Sequence, residues 1–341
     1  MKKTYRMFST LCMMGVVAFL ASSCNKNEEK PTVSIGLPAP FEEVIADDGG
    51  EKLYVDFNNG SAYKWNANDR VMIYNLDATD GTNTQKAIYS TGTEAEGQWS
   101  AMFNGADLGV KKDHYFVFFP VEKLVNDALD QNNYQTFQVP ESQDYTLVDG
   151  NPTVDKTSLA AACEINTINT PFTLQHIFGV CRLRLKGTKT IKKIELTDLH
   201  HGLAGTLGMK LHEVNMAKFQ DLMDNYTLVQ DGQEGMNPAF VTAWNDYRQQ
   251  LNYTSQASSH TITLNCVTPD TPNGVQLQGN TTATPFYIAV RPGAFIDGFT
   301  ITVYDMNDNP TVINNYVNPK TSYRIRAGYI TGFAPNGVVL N

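Results

Sequence analysis

Apolar and polar residues alternate in short blocks along most of the chain. Residues 53–57 (LYVDF) put Leu53, Val55 and Phe57 on one face. Eight further blocks follow: 70–75 (RVMIYN), 114–120 (HYFVFFP), 180–187 (VCRLRLKG), 191–198 (IKKIELTD), 260–267 (HTITLNCV), 285–290 (PFYIAV), 299–305 (FTITVYD) and 322–330 (SYRIRAGYI). Each is short and rich in β-branched and aromatic residues, and Gly, Asn, Asp and Pro clusters separate them, which predicts strands. The alternation in Leu183-Arg184-Leu185 and Ile301-Thr302-Val303 suits half-buried antiparallel strands. The pattern predicts a mainly β chain built as sandwiches.

Two stretches carry a helical period instead. Residues 153–165 (TVDKTSLAAACEI) are alanine-rich and predict a turn or two of helix. In 237–253, Asn237 can cap, Pro238 suits the first helical position, and Phe240, Val241, Trp244, Tyr247 and Leu251 share a face. This second helix falls in a polar insertion, 209–259. It reads either as a helix decorating a sandwich or as a ligand-contacting insertion. The texture changes at 165–171, before Pro171. The expected organisation is therefore an N-terminal β-sandwich domain over 53–170 and a C-terminal one over 171–341, each of ordinary domain size.

The N-terminus has a different layout. Lys2, Lys3 and Arg6 precede an apolar run at 11–20, and small residues Ala21, Ser22 and Ser23 precede Cys24. That is the three-part plan of a secretory signal, 1–23, too short to span a membrane comfortably. The cysteine after the small residues resembles a bacterial lipobox, although Ala21 stands where the usual leucine would, with Leu20 one place further back. Two readings stand: cleavage before Cys24 followed by its acylation, or a plain secretory signal in which Cys24 is incidental. Acyl chains at Cys24 would anchor the mature chain firmly, at roughly 0.8 kcal/mol per buried CH2. The following NKNEEK resembles the acidic export signal that sends Bacteroidota lipoproteins to the cell surface.

Charge and cysteine content narrow the classes. The net charge of −9 becomes −12 once Lys2, Lys3 and Arg6 leave with the signal, and no basic patch appears, which argues against nucleic acid as a partner. Beyond Cys12 and Cys24 only Cys163, Cys181 and Cys266 remain. An odd number cannot pair completely, so the readings are buried thiols or a single Cys163–Cys181 bridge. No CxxC pair supports zinc.

Catalytic groupings are equally scarce. There is no GxSxG elbow and no phosphate-binding glycine loop. His200, His201 and His212 lack a completing carboxylate, and no carboxylate pair stands out. His176, beside an apolar strand, reads as a hydrogen-bonded structural histidine rather than a base. The expectation is a protein without enzymatic activity, cofactor or metal.

Several blocks, taken in order, resemble the fimbrillin family, the type V pilins of Bacteroidia. They are YKWNANDRVMIY (Trp65, Asp69, Arg70, Val71), GQWSAMFNG (Trp99, Phe103), HYFVFFP (Tyr115, Phe118, Phe119, Pro120), FTLQHIFGVCRLRL (Phe172, His176), IKKIELTDLHHGLAGTL, PFYIAVRPG and the closing YRIRAGYI. Together they run over nearly the whole mature chain. Physically they are core and turn positions: Trp65 fills a core, and Asp69 closes a turn before the strand at 70–75.

The resemblance implies two transthyretin-like antiparallel β-sandwich domains in a surface lipoprotein that polymerises. In such pilins a protease removes the first strand, and the groove left behind takes a strand from another subunit. An apolar groove with unpaired backbone groups strongly prefers such a complement. The candidate first strand is 32–37 (TVSIGL), with Val33, Ile35 and Leu37 on one face of the lipidated segment 24–52. Residues 38–51 then read as a loop, with Asp47, Asp48, Gly49 and Gly50 exposed and Lys52 as the candidate processing site. No arginine lies between Cys24 and Arg70, and Arg70 reads as buried in a strand, so a lysine-tolerant protease, or no cleavage as in an anchor subunit, fits better than Arg-specific processing. At the C-terminus, Val338, Val339 and Leu340 form either a donor strand or the last strand of the chain's own domain.

The expected function is a fimbrial subunit or pilus-associated adhesin, lipid-anchored at the outer membrane and cell surface. Its partners would be other pilus subunits, copies of itself, and host or bacterial surface ligands. The alternative is a lipid-anchored surface glycan-binding protein, with Trp65, Trp99 and Trp244 as its sugar platform.

Overall fold

The structure, a computed structural model, describes residues 32–38, 42–45, 64–80, 83–106, 108, 114–125, 134–148, 150–198, 202–210, 256–291, 293–295, 299–313, 323–325 and 328–340. These residues are mainly β. Helix among them is limited to three 3-10 turns, Thr93–Ala95, Val121–Lys123 and Lys156–Ser158. The strand expected at 53–57, the helix at 237–253, Cys24, Lys52, His200, His201, His212 and Trp244 lie outside the described residues.

The N-terminal half builds one eight-stranded sheet. Its order is Phe172–Thr173, Thr32–Gly36, Ser100–Gly105, Asn83–Thr91, Arg70–Asp80, Tyr115–Phe119, Ala161–Ile165 and Gln175–His176. The two edge strands are neighbours in sequence, separated only by Leu174. The sheet must therefore curl until its edges meet. Leu174 N–H donates to the Gly36 carbonyl (2.9 Å) on one side of the join, and Ile177 N–H to the Ala160 carbonyl (3.2 Å) on the other.

The curled sheet is buried on both faces at its centre. Val71, Ile73, Tyr115 and Val117 face a small core with Val33, Ile35, Trp65, Tyr89, Phe103 and Leu174. Met72, Tyr74, Phe116 and Phe118 face a larger core shared with the second half of the chain. Two-sided burial is why 115–119 reads YFVFF with no polar alternate. The Arg70 reading is corrected here. Its strand is central, but Arg70 is the first residue, beyond the covering layer, and its side chain is 47% exposed beside Glu122.

The second half holds a four-stranded sheet, ordered Glu42–Ile45, Tyr329–Leu340, Gly179–Gly187 and Gly279–Val290. It also holds a larger sheet in which Thr190–Thr197 lies between Thr300–Asp305 and Thr261–Asn265. Strands of the first half enter both. Glu42–Ile45 runs parallel to Tyr329–Leu340, and Ser142–Asp144 runs parallel to Thr261–Asn265. Tyr134–Val139 pairs with Ala204–Lys210 in a third, three-stranded sheet.

Two local expectations change. Residues 153–165 form a 3-10 turn and then strand Ala161–Ile165 rather than helix. Asp155 accepts bonds from Thr157 N (2.9 Å), Thr157 Oγ1 (2.7 Å) and Ser158 Oγ (3.3 Å), which fixes a turn instead of a helical start. Ala160, Ala161 and Ala162 are buried, the last two opposite Phe119 and Phe118. Small side chains are needed there by crowding, and packing overrides helix propensity. Likewise 42–45, within the expected loop, is a strand, because Tyr329–Leu340 offers it a free edge.

Candidate functional site: the closing strand and the cavity at its end

Strand Thr32–Gly36 fills the slot between two strands from distant parts of the chain. It runs antiparallel to Ser100–Gly105, with Val33 opposite Phe103 and Ile35 opposite Ala101, and parallel to Phe172–Thr173. Val33 and Ile35 are fully buried, and Leu37 is half-buried where the two cores meet. The alternate side chains face out as hydroxyls: Thr32 Oγ1 bonds Asn104 Oδ1 (3.1 Å) and Ser34 meets Ser100 (3.4 Å). Burial of Val33 and Ile35 contributes about 1.5–3 kcal/mol each to keeping the strand in place.

Trp65 is the contact that fixes the strand from inside. The indole is fully buried, edge-on to Phe103 and Phe119 with ring centres 4.8 Å away in each case. Its Nε1–H donates to the Ile35 carbonyl (3.1 Å). The backbone of Trp65 is held by Gln98 and Gly97. Beyond it the chain turns through Asn66–Asp69, where Asp69 Oδ2 accepts from Asn66 N–H (2.8 Å) and Asn68 takes a positive φ of 63°. The exit of the closing strand is set by Leu37 N–H donating to the Trp99 carbonyl (2.9 Å).

A cavity of about 290 Å3 opens where the closing strand ends. Leu37 and Pro38 form one wall, and Phe119, Pro120, Leu159 and Ala160 supply more apolar surface. Lys64, Asn66, Asp69, Glu122, Lys123, Thr157 and His176 are the polar residues of the lining. Burial pushes the Lys123 amine down to about 8, with Asp155 partly offsetting the shift. His176 itself is buried in its edge strand, opposite Ala161.

The C-terminal residues belong to a different sheet from this slot. Val338, Val339 and Leu340 pair with Leu185, Lys186 and Gly187. Leu340 is buried, Val338 half-buried and Val339 44% exposed. Their strand is second in its sheet, but Glu42–Ile45 flanks it only along Tyr329–Gly332, away from Val338 to Leu340. Gly187 has a φ of 136°, and a Cβ there would stand 2.5 Å from the Leu340 carbonyl oxygen, so the approach of these two strands requires glycine.

The three described cysteines are free thiols, which corrects the Cys163–Cys181 alternative. Cys163 and Cys181 lie on strands of different sheets. Burial raises all three thiols above the usual range, Cys163 to about 12. Among the described residues no cluster of His, Cys, Asp and Glu is placed to hold a metal, and no helix is long and apolar enough to cross a membrane. Trp65 is no platform for a ligand, being wholly enclosed, whereas Trp99 is 45% exposed. The cavity and its lysines carried no sequence signal, because the lining comes from several separate segments.

No family model and no curated protein matches the chain. Solved structures of similar layout include two candidate cell adhesion proteins. One is from Bacteroides ovatus (11% identity, 91% of this chain and 92% of that chain, TM-score 0.43) and one from Bacteroides uniformis (14% identity, 90% and 94%, TM-score 0.42). A third is the tip fimbrial protein Mfa3 of Porphyromonas gingivalis with C-terminal truncation (10% identity, 87% and 92%, TM-score 0.31).

Proposed function

We propose that the chain is a fimbrial subunit, or an adhesin carried on a fimbria. In this reading it is exported as a lipoprotein acylated at Cys24 and displayed at the outer membrane surface. It assembles by donor-strand exchange with other pilus subunits or copies of itself. The fimbrillin-like order of the sequence blocks supports the family. The observation that carries the mechanism is the closing strand. It is the first described strand of the chain, only five residues long, and flanked on both sides by strands from remote segments. Exchanging it for another strand is nearly neutral in backbone hydrogen bonds, so apolar fit to the pocket now filled by Val33 and Ile35 decides the outcome. Cutting near Lys52 would leave the strand tied to the fold only by noncovalent contacts, its own and those of Glu42–Ile45, which lies on the same side of the cut.

Among the described residues Val338, Val339 and Leu340 pair on one edge only, with Leu185 to Gly187, so serving as a donor requires them to leave a single neighbouring strand. Purified protein subjected to limited Lys-specific proteolysis and run on a gel without boiling should form SDS-resistant ladders. Cleanly cut protein that retains 32–37 and stays monomeric rejects strand exchange.

A second reading, a lipid-anchored glycan-binding protein, is favoured by one observation. Met102, opposite Ser34 on the outer face, and Trp99, just before strand Ser100–Gly105, are both exposed. Glycan-array binding by the uncut monomer, lost in Trp99→Ala, would select it.

A further inference from the structure

We propose that the cavity beside Pro38 is a binding site for a small amphipathic carboxylate, with Lys64 and Lys123 as its cationic anchors and Leu37, Phe119 and Leu159 receiving the apolar body. The volume of about 290 Å3 lies at the small end of ligand sites, which run from roughly 300 to 1,000 Å3. A mostly apolar wall with a few converging polar groups is the usual composition of such sites.

The sign of the charge follows from which groups are already engaged. Four ionic side chains line the cavity besides His176, two acidic and two basic. Asp69 is committed to the turn through Asn66 N–H, and Glu122 is in an ion pair with Arg70 at 2.7 Å. Neither Lys64 nor Lys123 has a carboxylate at ion-pair distance among the described residues. The carboxylate that acts on Lys123 is Asp155, and it already accepts from Asp144 N, Thr157 N, Thr157 Oγ1 and Ser158 Oγ. Lys64 and Lys123 are therefore wall cations without an ion-pair partner among the described residues, while Glu122 is neutralised by Arg70 and Asp69 is held in its turn. Burial of Lys123 without a direct partner gives an incoming carboxylate a desolvated cation to meet, where an ion pair is stronger than at the surface. Because Leu37 and Pro38 belong to the end of the closing strand, a bound molecule rests against that strand as well.

The test is calorimetric titration of the full chain at pH 7 with 4-phenylbutyrate, with octanoate, and with the neutral 4-phenyl-1-butanol. The acids should bind with one-to-one stoichiometry and the alcohol about ten-fold more weakly or not at all. Lys123→Met and Lys64→Met should each weaken 4-phenylbutyrate by roughly three- to ten-fold, with the alcohol unchanged. Equal affinity for acid and alcohol overturns the assignment, as does the absence of saturable heat with both acids. So does a folded double lysine variant, verified by circular dichroism, that binds the acids as the parent does. The comparison of acid with alcohol on the unaltered chain decides the matter even if a variant fails to fold. Since none of these readings involves proteolysis or polymerisation, failure here leaves the fimbrial reading standing, and failure there leaves this one.

Discussion

Gln143 and Ala289, 146 residues apart, are joined by two hydrogen bonds of 2.8 Å. The Gln143 Nε2–H donates to the Ala289 carbonyl, and the Ala289 N–H donates to Gln143 Oε1. Strand Gly279–Val290 is the edge of its sheet, so a side-chain amide does there what a neighbouring strand would do. Gln143 is 1% exposed, and neither backbone group of Ala289 has water to fall back on. Gln143→Met keeps the volume and removes both partners. It should lower the unfolding free energy by about 2–4 kcal/mol, read as a reduced urea midpoint at unchanged slope.

Trp65 offers a second separation of polar from apolar contributions. Trp65→Phe retains an aromatic ring between Phe103 and Phe119 but leaves the Ile35 carbonyl without its indole donor. About 1 kcal/mol of stability should go, together with faster amide exchange over 33–37. Trp65→Ala should cost about 3–5 kcal/mol through the cavity it creates. Equal exchange rates at 33–37 in the parent and the Phe variant would show that the bond does not hold the strand.

Lys123 makes stability depend on alkaline pH. Its folded value of about 8 lies below the ordinary lysine value of 10.5. Between those values the unfolded chain keeps a proton that the folded chain releases, so stability rises with pH across that window. Below about pH 8 the cost of burying the ammonium is present in full. Lys123→Met should therefore stabilise the protein at pH 7, by about 1–3 kcal/mol. The gain should shrink as pH approaches 10.5. Thermal melts of parent and variant at pH 7 and pH 10 test both the sign and the trend.

At Gly187 an added methyl would collide with backbone, not with a flexible side chain, and the positive φ adds strain. Gly187→Ala should cost about 2–3 kcal/mol and loosen Val338 to Leu340 first. Proteolytic trimming of the last residues in the variant, with the remainder intact, is the expected sign.

Much of this arrangement is legible in the sequence where burial is local and periodic. Val33 and Ile35 alternate with Thr32 and Ser34, and the strand they predict has those pairs on opposite faces. YFVFF announces a strand covered on both sides, and Trp65 with Asp69 announces a core residue before a turn. Contacts that depend on distant partners are silent. EEVI at 42–45 looks like loop until a parallel edge arrives from almost 300 residues away. The alanines at 160–162 look helical until the phenylalanines opposite demand small neighbours. Gln143 looks like any polar residue in a loop, because nothing adjacent to it hints that Ala289 lacks a strand. The lysines of the cavity are silent for the same reason: Lys64 and Lys123 lie 59 residues apart, and only the curl of the sheet brings them to one space.

That curl, joined at residues 172–176, also gives the molecule a mechanical direction. The closing strand lies in register with a neighbour on each side, so a pull along its axis loads its ladder bonds together, in shear. A pull across the sheet would open them one at a time, as a zipper opens. Resistance to tension is thus anisotropic, high along the slot and low at right angles to it, and any strand seated there inherits that grain.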